Sequence, residues 1–451
     1  MSRLKIALIK PSMGEQHGRP YRTPAVLEPM FAALIAGQTS DDFDLVFFDE
    51  RIEEIDFSQK WDLVAISVET FTALRSYQIA SRFRQSNCPV LLGGFHPSLV
   101  PEEAALHADS VAIGTVETIW PEVLTDLGSG GLKKIYRGGN FGFANTRVDR
   151  SIFSGKKYLP VALVETSRGC RFSCNFCTVR SFYGNNVCFR DIESVKEEIV
   201  SLNRRFVFFT DDNIVAAPDQ SIQLFQAIKP LKLKWASQAS ITSARDPKFL
   251  DLMAESGCFA VIIGLESIRS ASLEKMGKSW APAAGEVEKL LEEYRSRGIM
   301  VYGTFVFGYP GDTPQLIADT VDFAIDRRLF MANFNMLYPF PGTAVYSQLM
   351  EQRRLIEPRW WLSRSSIWDF PAFIPENMSP EQLSVAVKEA RRRFGSISSL
   401  VRRSFDLKAN FKNPFNSLIH LATNIVSRLD IQKKSGLRPG FNIPANQEQH
   451  Q

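Results

Sequence analysis

Cysteine and histidine are scarce in this chain, and both a strong net charge and long apolar runs are absent. Six cysteines and five histidines in 451 residues do not suggest a secreted disulfide framework. A net charge of +4 gives no strong attraction to nucleic acid, so we expect no nucleic-acid partner. No apolar run reaches the roughly 18 residues of a membrane-spanning helix, and Met1–Ile6 does not read as a signal peptide. We therefore expect a cytoplasmic globular protein.

Three of the six cysteines stand close together, in the run Cys170-Arg-Phe-Ser-Cys174-Asn-Phe-Cys177. This spacing brings three thiolates onto one loop, and thiolates bind Fe–S clusters, zinc or Cu(I). Structural zinc sites use four ligands, but no fourth Cys or His is close in sequence. A 4Fe–4S cluster on three cysteines leaves one iron open to a substrate or cofactor. A structural zinc loop and a chance cluster remain as alternatives.

The cysteine run resembles the motif of the radical S-adenosylmethionine (radical SAM) superfamily, in which an aromatic residue, here Phe176, precedes the third cysteine. The resemblance implies a 4Fe–4S cluster on Cys170, Cys174 and Cys177. Its open iron would bind S-adenosylmethionine, and one electron would cleave that molecule to a 5′-deoxyadenosyl radical. The other three cysteines are expected to be buried small side chains.

Apolar runs and helical periodicity alternate through residues 1–130. This alternation predicts a doubly wound α/β domain around a buried parallel sheet, in which ligands bind beyond the carboxyl ends of the strands. The predicted strands are 5–10, 44–49, 63–68, 90–94 and 111–114, and the predicted helices are 25–38, 72–85 and 118–128.

Three loops that follow these strands resemble the cobalamin-binding domain that precedes many radical SAM domains. The run Gly93-Gly-Phe-His96-Pro97 is similar to that domain's G-G-x-H-P signature, whereas its G-E-x-E is here Gly114-Thr-Val-Glu117 and its D-x-H-x-x-G motif is missing. The resemblance implies a Rossmann-like domain that binds cobalamin. Two alternatives stay open: His96 is a hydrogen-bonded loop residue, or the domain has lost its cofactor. The implied cobalamin-binding residues are Ser67, Thr70, Gly93, Gly94, His96, Gly114 and Glu117.

Residues 131–160 are expected to form a linker, because glycines are frequent there and Pro160 precedes the next strand. From 161 to 345 six strands alternate with helices, which resembles the partial (β/α)6 TIM barrel of the radical SAM family. The predicted strands are 161–166, 206–212, 234–240, 260–267, 301–308 and 334–339.

The same resemblance assigns binding roles for S-adenosylmethionine at the strand ends. Asp211 and Asp212 would receive its amino group, Ser240 its carboxylate or ribose, and Glu266 a ribose hydroxyl. Gly303 would let the backbone approach the adenine. The alternative for each position is a strand-end residue with a local structural role.

Residues 346–451 are predicted to be a helical extension, with helices over 380–403 and 414–429 and a disordered tail from 435. Helix 414–429, capped by Asn413, carries an apolar stripe that either packs on the barrel or makes a peripheral membrane contact. The members of the stripe are Phe415, Leu418, Ala422, Ile425, Val426 and Leu429.

Taken together, the resemblance implies a radical SAM enzyme of the cobalamin-binding class. It would methylate an unactivated carbon of a small molecule such as a natural product, lipid or pigment, with an electron donor such as flavodoxin or ferredoxin. A radical SAM enzyme that does not methylate, an Fe–S electron carrier and a zinc-binding module remain as alternatives. Substrate contacts are expected from loops 11–24 and 355–375, which carry no recognisable motif.

Overall fold

The computed structural model of the protein describes residues 3–23, 25–139, 143 and 146–442. Within these ranges the chain forms two six-stranded parallel sheets, one in residues 4–137 and one in residues 162–336. Helices flank both sheets, and a helical extension follows the second. The described residues contain no helix long and apolar enough to cross a membrane.

The N-terminal domain is a doubly wound α/β fold, as predicted. Its main strands pair in the order β4-β1-β5-β6-β7-β8, all parallel. Apolar cores cover both faces of the sheet, which is why the central strands are apolar at consecutive positions. The strands are β1 (Leu4–Lys10), β2 (Gly14–Gln16), β3 (Arg19–Pro20), β4 (Phe43–Asp49), β5 (Leu63–Ser67), β6 (Val90–Gly93), β7 (Ser110–Ile113) and β8 (Ile135–Arg137). The helices are α1 (Met30–Gln38), α2 (Ala73–Gln85), α3 (Phe95–Leu99), α4 (Pro101–His107) and α5 (Val116–Gly128).

Strand β8 extends this domain into the segment predicted to be a linker. Ile135 pairs with Val111 of β7, and the buried Tyr136 donates its hydroxyl hydrogen bond to Asp126 at 2.9 Å. Phe153 and Tyr158 pack on the same core. The glycine-rich composition predicts flexibility but does not reveal these aromatic anchors; residues 140–142 of that stretch lie outside the described residues.

The second domain is a partial barrel of six parallel strands in the order β9-β12-β13-β14-β15-β16. This order confirms the predicted (β/α)6 architecture, in which the carboxyl ends of all strands meet at one face. The strands are β9 (Ala162–Val164), β10 (Ser167–Arg168), β11 (Cys188–Phe189), β12 (Phe206–Phe209), β13 (Lys234–Ala239), β14 (Cys258–Glu266), β15 (Met300–Phe307) and β16 (Met331–Met336). The helices are α6 (Thr178–Tyr183), α7 (Ile192–Leu202), α8 (Pro218–Ile228), α9 (Pro247–Glu255), α10 (Ser270–Lys275), α11 (Ala284–Ser296), α12 (Pro314–Asp326) and α13 (Ala344–Glu351).

The C-terminal extension contains α14 (Pro380–Phe394), α15 (Ile397–Ser404), α16 (Pro414–Lys434) and the short strand β17 (Arg438–Pro439). The single helix predicted over 380–403 is therefore two helices. They separate because the Ser396 side chain accepts the backbone N–H of Ser399 and caps a new helix. Asn413 caps α16 as predicted, by accepting the N–H of Asn416.

Helix α16 places polar residues, rather than its apolar stripe, against the barrel. The side chains of Asn416 and Asn424 donate to the barrel carbonyls of Gly298 at 3.4 Å and Phe330 at 2.9 Å. Buried carbonyls need donors, which an asparagine amide supplies and a leucine cannot. His420, between these two positions along the helix, is fully buried.

Most of the predicted apolar stripe of α16 faces solvent. Leu418, Ile425 and Leu429 are 65%, 56% and 47% exposed. Phe415 is the exception, because its ring stacks on Phe206 of β12 at 5.1 Å. The prediction that this stripe packs on the barrel is therefore wrong for all but its first turn.

The chain returns to the N-terminal domain after α16. Strand β17 pairs antiparallel with β2, and β2 pairs with β3. Residues 435–442, predicted to be disordered, are thus partly ordered by this pairing, and residues 443–451 lie outside the described residues. Loop 11–24 and the end of the described chain consequently lie side by side.

Candidate active site

The cysteine loop, which carries Cys170, Cys174 and Cys177, follows the strands β9 and β10 and ends where α6 begins. Asp211, which follows β12, is fully buried and accepts hydrogen bonds from the hydroxyls of Thr166 and Ser167, the first at 2.6 Å. Asp212 accepts the backbone N–H of Gly169 at 2.8 Å. Two adjacent carboxylates therefore anchor the residues just before the first cysteine.

The three loop cysteines are free and half-buried. Burial raises the pKa of Cys177, and the backbone N–H groups of Arg180 and Val179 partly oppose that rise. Burial raises the pKa of Cys174 to about 12, so a bound cation is needed to keep this thiol ionised. No group of three or more His, Cys, Asp or Glu in the described ranges surrounds a single metal-ion position; in a 4Fe–4S cluster the cysteines bind different irons. The donor set fits such a cluster.

The middle of the loop is held from the opposite side of the barrel. The Asn175 backbone N–H donates to the Met276 carbonyl at 3.0 Å, and the Tyr309 hydroxyl donates to the Asn175 side chain at 2.7 Å. Phe176 packs edge-on to Tyr309, with ring centroids 6.3 Å apart. The aromatic residue of the motif therefore helps to fix the loop against the end of β15.

Asn213 connects the cysteine loop to Ser240. Its side-chain nitrogen lies 3.9 Å from the sulfur of Cys170, and its side-chain oxygen accepts the backbone N–H of Ser240 at 3.2 Å. The Ser240 hydroxyl lies 2.7 Å from that of Thr242. Ser240 thus lies beside the cluster loop, at the carboxyl end of β13, where a ligand of the cluster would be bound.

Asp211 and Asp212, the two carboxylates after β12, differ in how many hydrogen bonds they already accept. Burial raises the pKa of Asp211 and of Asp212 to about 6. Both Asp211 oxygens already accept hydrogen bonds from Thr166 or Ser167, so this residue holds the loop rather than a ligand, a correction to its predicted role. Asp212 has one such partner and remains the better candidate for an ammonium group, which would lower its pKa.

Glu266 ends β14 in the left-handed backbone region, with a φ of 62°. Its carboxylate lies 3.3 Å from the Lys278 ammonium, which also donates to the Gly264 carbonyl at 2.8 Å. The strand register shifts between Gly264 and Glu266. A non-glycine residue in this strained conformation is a candidate for a functional role, and the ribose contact of Glu266 stays a prediction.

Gly303 has a different role from the predicted one. It lies within β15, and a Cβ added there would be 2.7 Å from Leu329 and 3.1 Å from Leu265. The glycine therefore permits close packing of core side chains against the strand. The predicted approach of an adenine to Gly303 is corrected by these contacts.

A cavity of about 300 Å³ lies at the carboxyl ends of β5, β6 and β7. Five of the predicted cobalamin-binding residues line it, namely Ser67, Gly93, Gly94, Gly114 and Glu117. Apolar side chains form the remaining wall, among them Leu8, Phe31, Leu34, Leu91 and Trp120. A Cβ added at Gly93 would meet only Ala112, at 3.4 Å, so the missing side chain leaves open space at the rim. The apolar wall of the cavity and the open space at its rim suit the approach of a large, partly apolar cofactor.

His96 and Thr70 do not face this cavity. His96 is fully buried, with its Nδ1 3.3 Å from the Thr70 hydroxyl and its Nε2 3.1 Å from the Glu103 carboxylate. Glu103 also accepts the indole N–H of Trp361 at 2.9 Å. His96 and Thr70 therefore belong to a buried network that reaches the extension through Glu103. His96 is hydrogen-bonded, as in the alternative interpretation, but it lies in α3 rather than in a loop.

Arg168 joins the cavity to the cysteine loop. Its guanidinium lies 2.8 Å from both Glu117 of the N-terminal domain and Glu165 of the barrel. All three residues line the cavity. Nearby, the rings of Phe95 and Phe182 stack at 4.6 Å across the domain boundary. The cysteine loop and the cavity are thus parts of one site between two domains.

Fold and site together define a class: an enzyme in which a Rossmann-like domain places a cofactor cavity against the cysteine loop of a partial barrel. Residues 164–324 match the family model of the radical SAM superfamily. The chain is 30% identical to bacteriochlorophyllide d C-12(1)-methyltransferase of Chlorobaculum tepidum, covering 78% of this chain and 80% of that protein. The chain belongs to the radical SAM superfamily.

Two further comparisons agree with this membership. Bacteriochlorophyllide d C-8(2)-methyltransferase of Chlorobaculum tepidum is 28% identical and covers 73% of this chain and 78% of its own length. The structure of the radical SAM methyltransferase TsrM from Kitasatospora setae, with cobalamin and a [4Fe-4S] cluster bound, has a TM-score of 0.65 at 17% identity and covers 96% of this chain and 99% of its own. The predicted family, fold class and enzyme class, a radical SAM methyltransferase, are confirmed. The predicted cofactors, a 4Fe–4S cluster, S-adenosylmethionine and cobalamin, are those of this class.

Four residues of the site were not predicted from the sequence. Lys278 contacts Glu266, and Asn213 contacts Cys170. Arg168 joins the cysteine loop to the cavity. Glu69 lines the cavity and is paired with Lys10, which lowers the pKa of the Glu69 carboxyl. Glu69 and Asn213 could be predicted from the sequence, because each follows a strand of a parallel sheet. Lys278 could not, because its segment carries no motif.

Proposed function

We propose that the protein transfers a methyl group to an unactivated carbon of a tetrapyrrole pigment. The observation that carries the proposal is the Arg168 bridge, because it places the cofactor cavity directly beside the cysteine loop. Methyl transfer by a radical route needs two cofactors and a substrate held together out of water. A site shared by two domains provides that arrangement.

Each cofactor would be held by residues of this chain. The cluster would bind to Cys170, Cys174 and Cys177, and cobalamin would lie in the cavity lined by Gly93 and Gly114. When bound, the cluster supplies the electron that cleaves S-adenosylmethionine, and cobalamin supplies the methyl group.

The protein's own groups position these partners. Asp212 is a carboxylate that suits the methionine ammonium, and Ser240 a hydroxyl close to the cluster loop. Glu266 offers a carboxylate to the ribose, with Lys278 fixing its direction. Arg168 keeps Glu117 and Glu165 neutralised at the boundary between the domains.

The substrate class follows from the names of the relatives, which act on bacteriochlorophyllide d. Both similarities extend over about three quarters of this chain, and therefore include regions outside the barrel. We infer a tetrapyrrole rather than a lipid on this ground.

The test is an anaerobic reaction of the reconstituted enzyme with bacteriochlorophyllide, S-adenosylmethionine, hydroxocobalamin and reductant. We expect 5′-deoxyadenosine and a pigment heavier by one CH2, because the methyl group replaces a hydrogen; both are measured by mass spectrometry. A cyclised or hydroxylated pigment would instead support the non-methylating alternative. Absence of 5′-deoxyadenosine in all reactions would refute radical chemistry.

We also propose two partners. An electron donor such as flavodoxin or ferredoxin would reduce the cluster. A cytoplasmic location would supply such a donor.

The exposed side of α16, with Leu418 and Ile425 outward and Arg428 close by, would contact an anionic membrane surface. Cosedimentation with vesicles of phosphatidylglycerol, compared between the protein and an Ile425→Ser variant, tests this contact; equal sedimentation would reject it.

A further inference from the structure

A second cavity lies at the opposite side of the barrel mouth. It encloses about 180 Å³ and shares no lining residue with the cofactor cavity. Phe71, which follows β5, and Tyr338, which follows β16, contribute to its wall. The carboxyl ends of strands from both sheets therefore meet at this cavity, where α/β proteins bind their ligands.

The lining of this cavity is mainly aromatic. Phe71 packs against Tyr338 and Trp360, with ring centroids 4.9 Å and 5.3 Å apart. Trp368 and Phe370 complete the aromatic lining. We refer to the space bounded by these five residues as the aromatic cavity. Its flat faces suit dispersion and stacking contacts with a conjugated ring system.

The polar groups of the lining are already paired with protein atoms. The Tyr338 hydroxyl donates to the Trp368 carbonyl, and the Trp360 indole N–H donates to Pro339 at 2.9 Å. The Ser366 hydroxyl donates to the Trp360 carbonyl at 2.7 Å. The Glu357 carboxylate also belongs to the lining and accepts the Ser365 hydroxyl at 2.5 Å. Most of the lining is apolar, and burying a polar group without a hydrogen bond is costly, so the cavity favours a planar ligand that is mainly apolar.

Besides Phe71 and Tyr338, three further parts of the chain build this cavity. Met13 comes from the N-terminal loop, residues 356–372 from the extension, and Leu437 and Pro439 from the segment around β17. The Trp368 backbone N–H donates to Leu437 at 2.9 Å, which fixes the last segment in place. Protein interiors contain few voids larger than a water molecule, so a space maintained by these segments is a candidate binding site.

We propose that the aromatic cavity binds one apolar edge of the tetrapyrrole substrate, with its alkyl substituents, while the rest of the macrocycle extends into the cleft beside the cysteine loop. A volume of about 180 Å³ is below the range of about 300–1,000 Å³ that holds a whole ligand, so only an edge enters. The inference rests on the proposed function for its substrate class. It also explains why loops 11–24 and 355–375 lie together.

The experiment is a titration of the cofactor-loaded enzyme with zinc pheophorbide a, followed by absorbance under anaerobic conditions. Trp368→Ala removes a stacking face, and Ala372→Leu fills the cavity without removing a ring. We expect each variant to bind the pigment about tenfold more weakly. Phe405→Ala, which removes a 72% exposed ring outside the cavity, is the matched control and should bind normally.

Folding is checked separately by thermal unfolding, in which all variants should show a single cooperative transition. Normal pigment binding by both folded cavity variants would overturn the inference. Preference of the enzyme for the saturated triterpenoid diplopterol over zinc pheophorbide a would overturn it as well. Cavity-dependent pigment binding without methyl transfer supports the site and rejects only the proposed function.

Discussion

The guanidinium of Arg168 lies 2.8 Å from the carboxylate of Glu117 and joins the cysteine loop of the barrel to the cofactor cavity of the N-terminal domain. Both side chains are largely buried, with 8% and 5% of their surface exposed. Arg168 precedes the first cysteine by two residues, and Glu117 lies in the first turn of α5. A buried ion pair therefore couples the positions of the two parts of the site.

Removal of this cation should weaken both stability and cobalamin retention. Arg168→Met leaves Glu117 and Glu165 buried without a counter-charge, which costs about 3 kcal/mol for a buried pair. We expect that loss in urea unfolding, together with faster release of cobalamin on gel filtration. Arg171→Met, at an exposed position of the same loop, should resemble the native protein. Equal unfolding of both variants would reject the coupling.

The cysteine loop should account for all cluster binding. Replacing Cys170, Cys174 and Cys177 by Ala should remove the iron and the brown absorption and abolish reductive cleavage of S-adenosylmethionine. Cys188→Ala is the matched control, because Cys188 is a free, half-buried cysteine close to the loop. Retained 5′-deoxyadenosine production in the triple variant would refute the assignment.

Substitutions of Glu266 should have separate effects on the affinity for S-adenosylmethionine and on the stability of the protein. Glu266→Ala and Glu266→Gly both remove the carboxylate, and each should weaken S-adenosylmethionine binding about tenfold. Only glycine relieves the φ of 62°, so the Gly variant should be about 1 kcal/mol more stable than the Ala variant. Isothermal titration and thermal unfolding measure the two effects. Unchanged affinity in both variants would exclude the ribose contact.

Asp212 should make the stability of the cofactor-free protein depend on pH. Its pKa is raised by burial to about 6, against an ordinary value of 3.8, so the folded state binds more protons than the unfolded state between these values. The free energy of unfolding therefore falls as pH rises from about 4 to about 6. Asp212→Asn should reduce that slope, measured by urea unfolding at several pH values. Parallel profiles for the two proteins would contradict the assignment.

The two sheets are predictable from the sequence because their strands are short apolar runs with glycine, proline or helical periodicity between them. The runs around Val64 and Val207 are strands that are buried in the structure. The same local rule fails for β8, which follows a glycine-rich stretch and is held by its pairing with β7 and by the contact between Tyr136 and Asp126.

The site is less predictable than the fold, because its partners are distant in sequence. The cysteine spacing is a local signal and identifies the loop. The contact of His96 with Thr70 and the contact of Asn213 with Cys170 join residues that are 26 and 43 positions apart, and both depend on tertiary packing. The outward apolar face of α16 is a similar case, since periodicity identifies a stripe but not the side that the barrel covers.

The measurement that tests the central claim most directly is anaerobic reconstitution with iron, sulfide and hydroxocobalamin, followed by desalting, metal analysis and a reaction with S-adenosylmethionine and bacteriochlorophyllide. The account predicts about four irons and one cobalt per chain, 5′-deoxyadenosine, and a methylated pigment. Iron and 5′-deoxyadenosine without bound cobalt or methylated pigment would contradict a cobalamin-dependent methyltransferase.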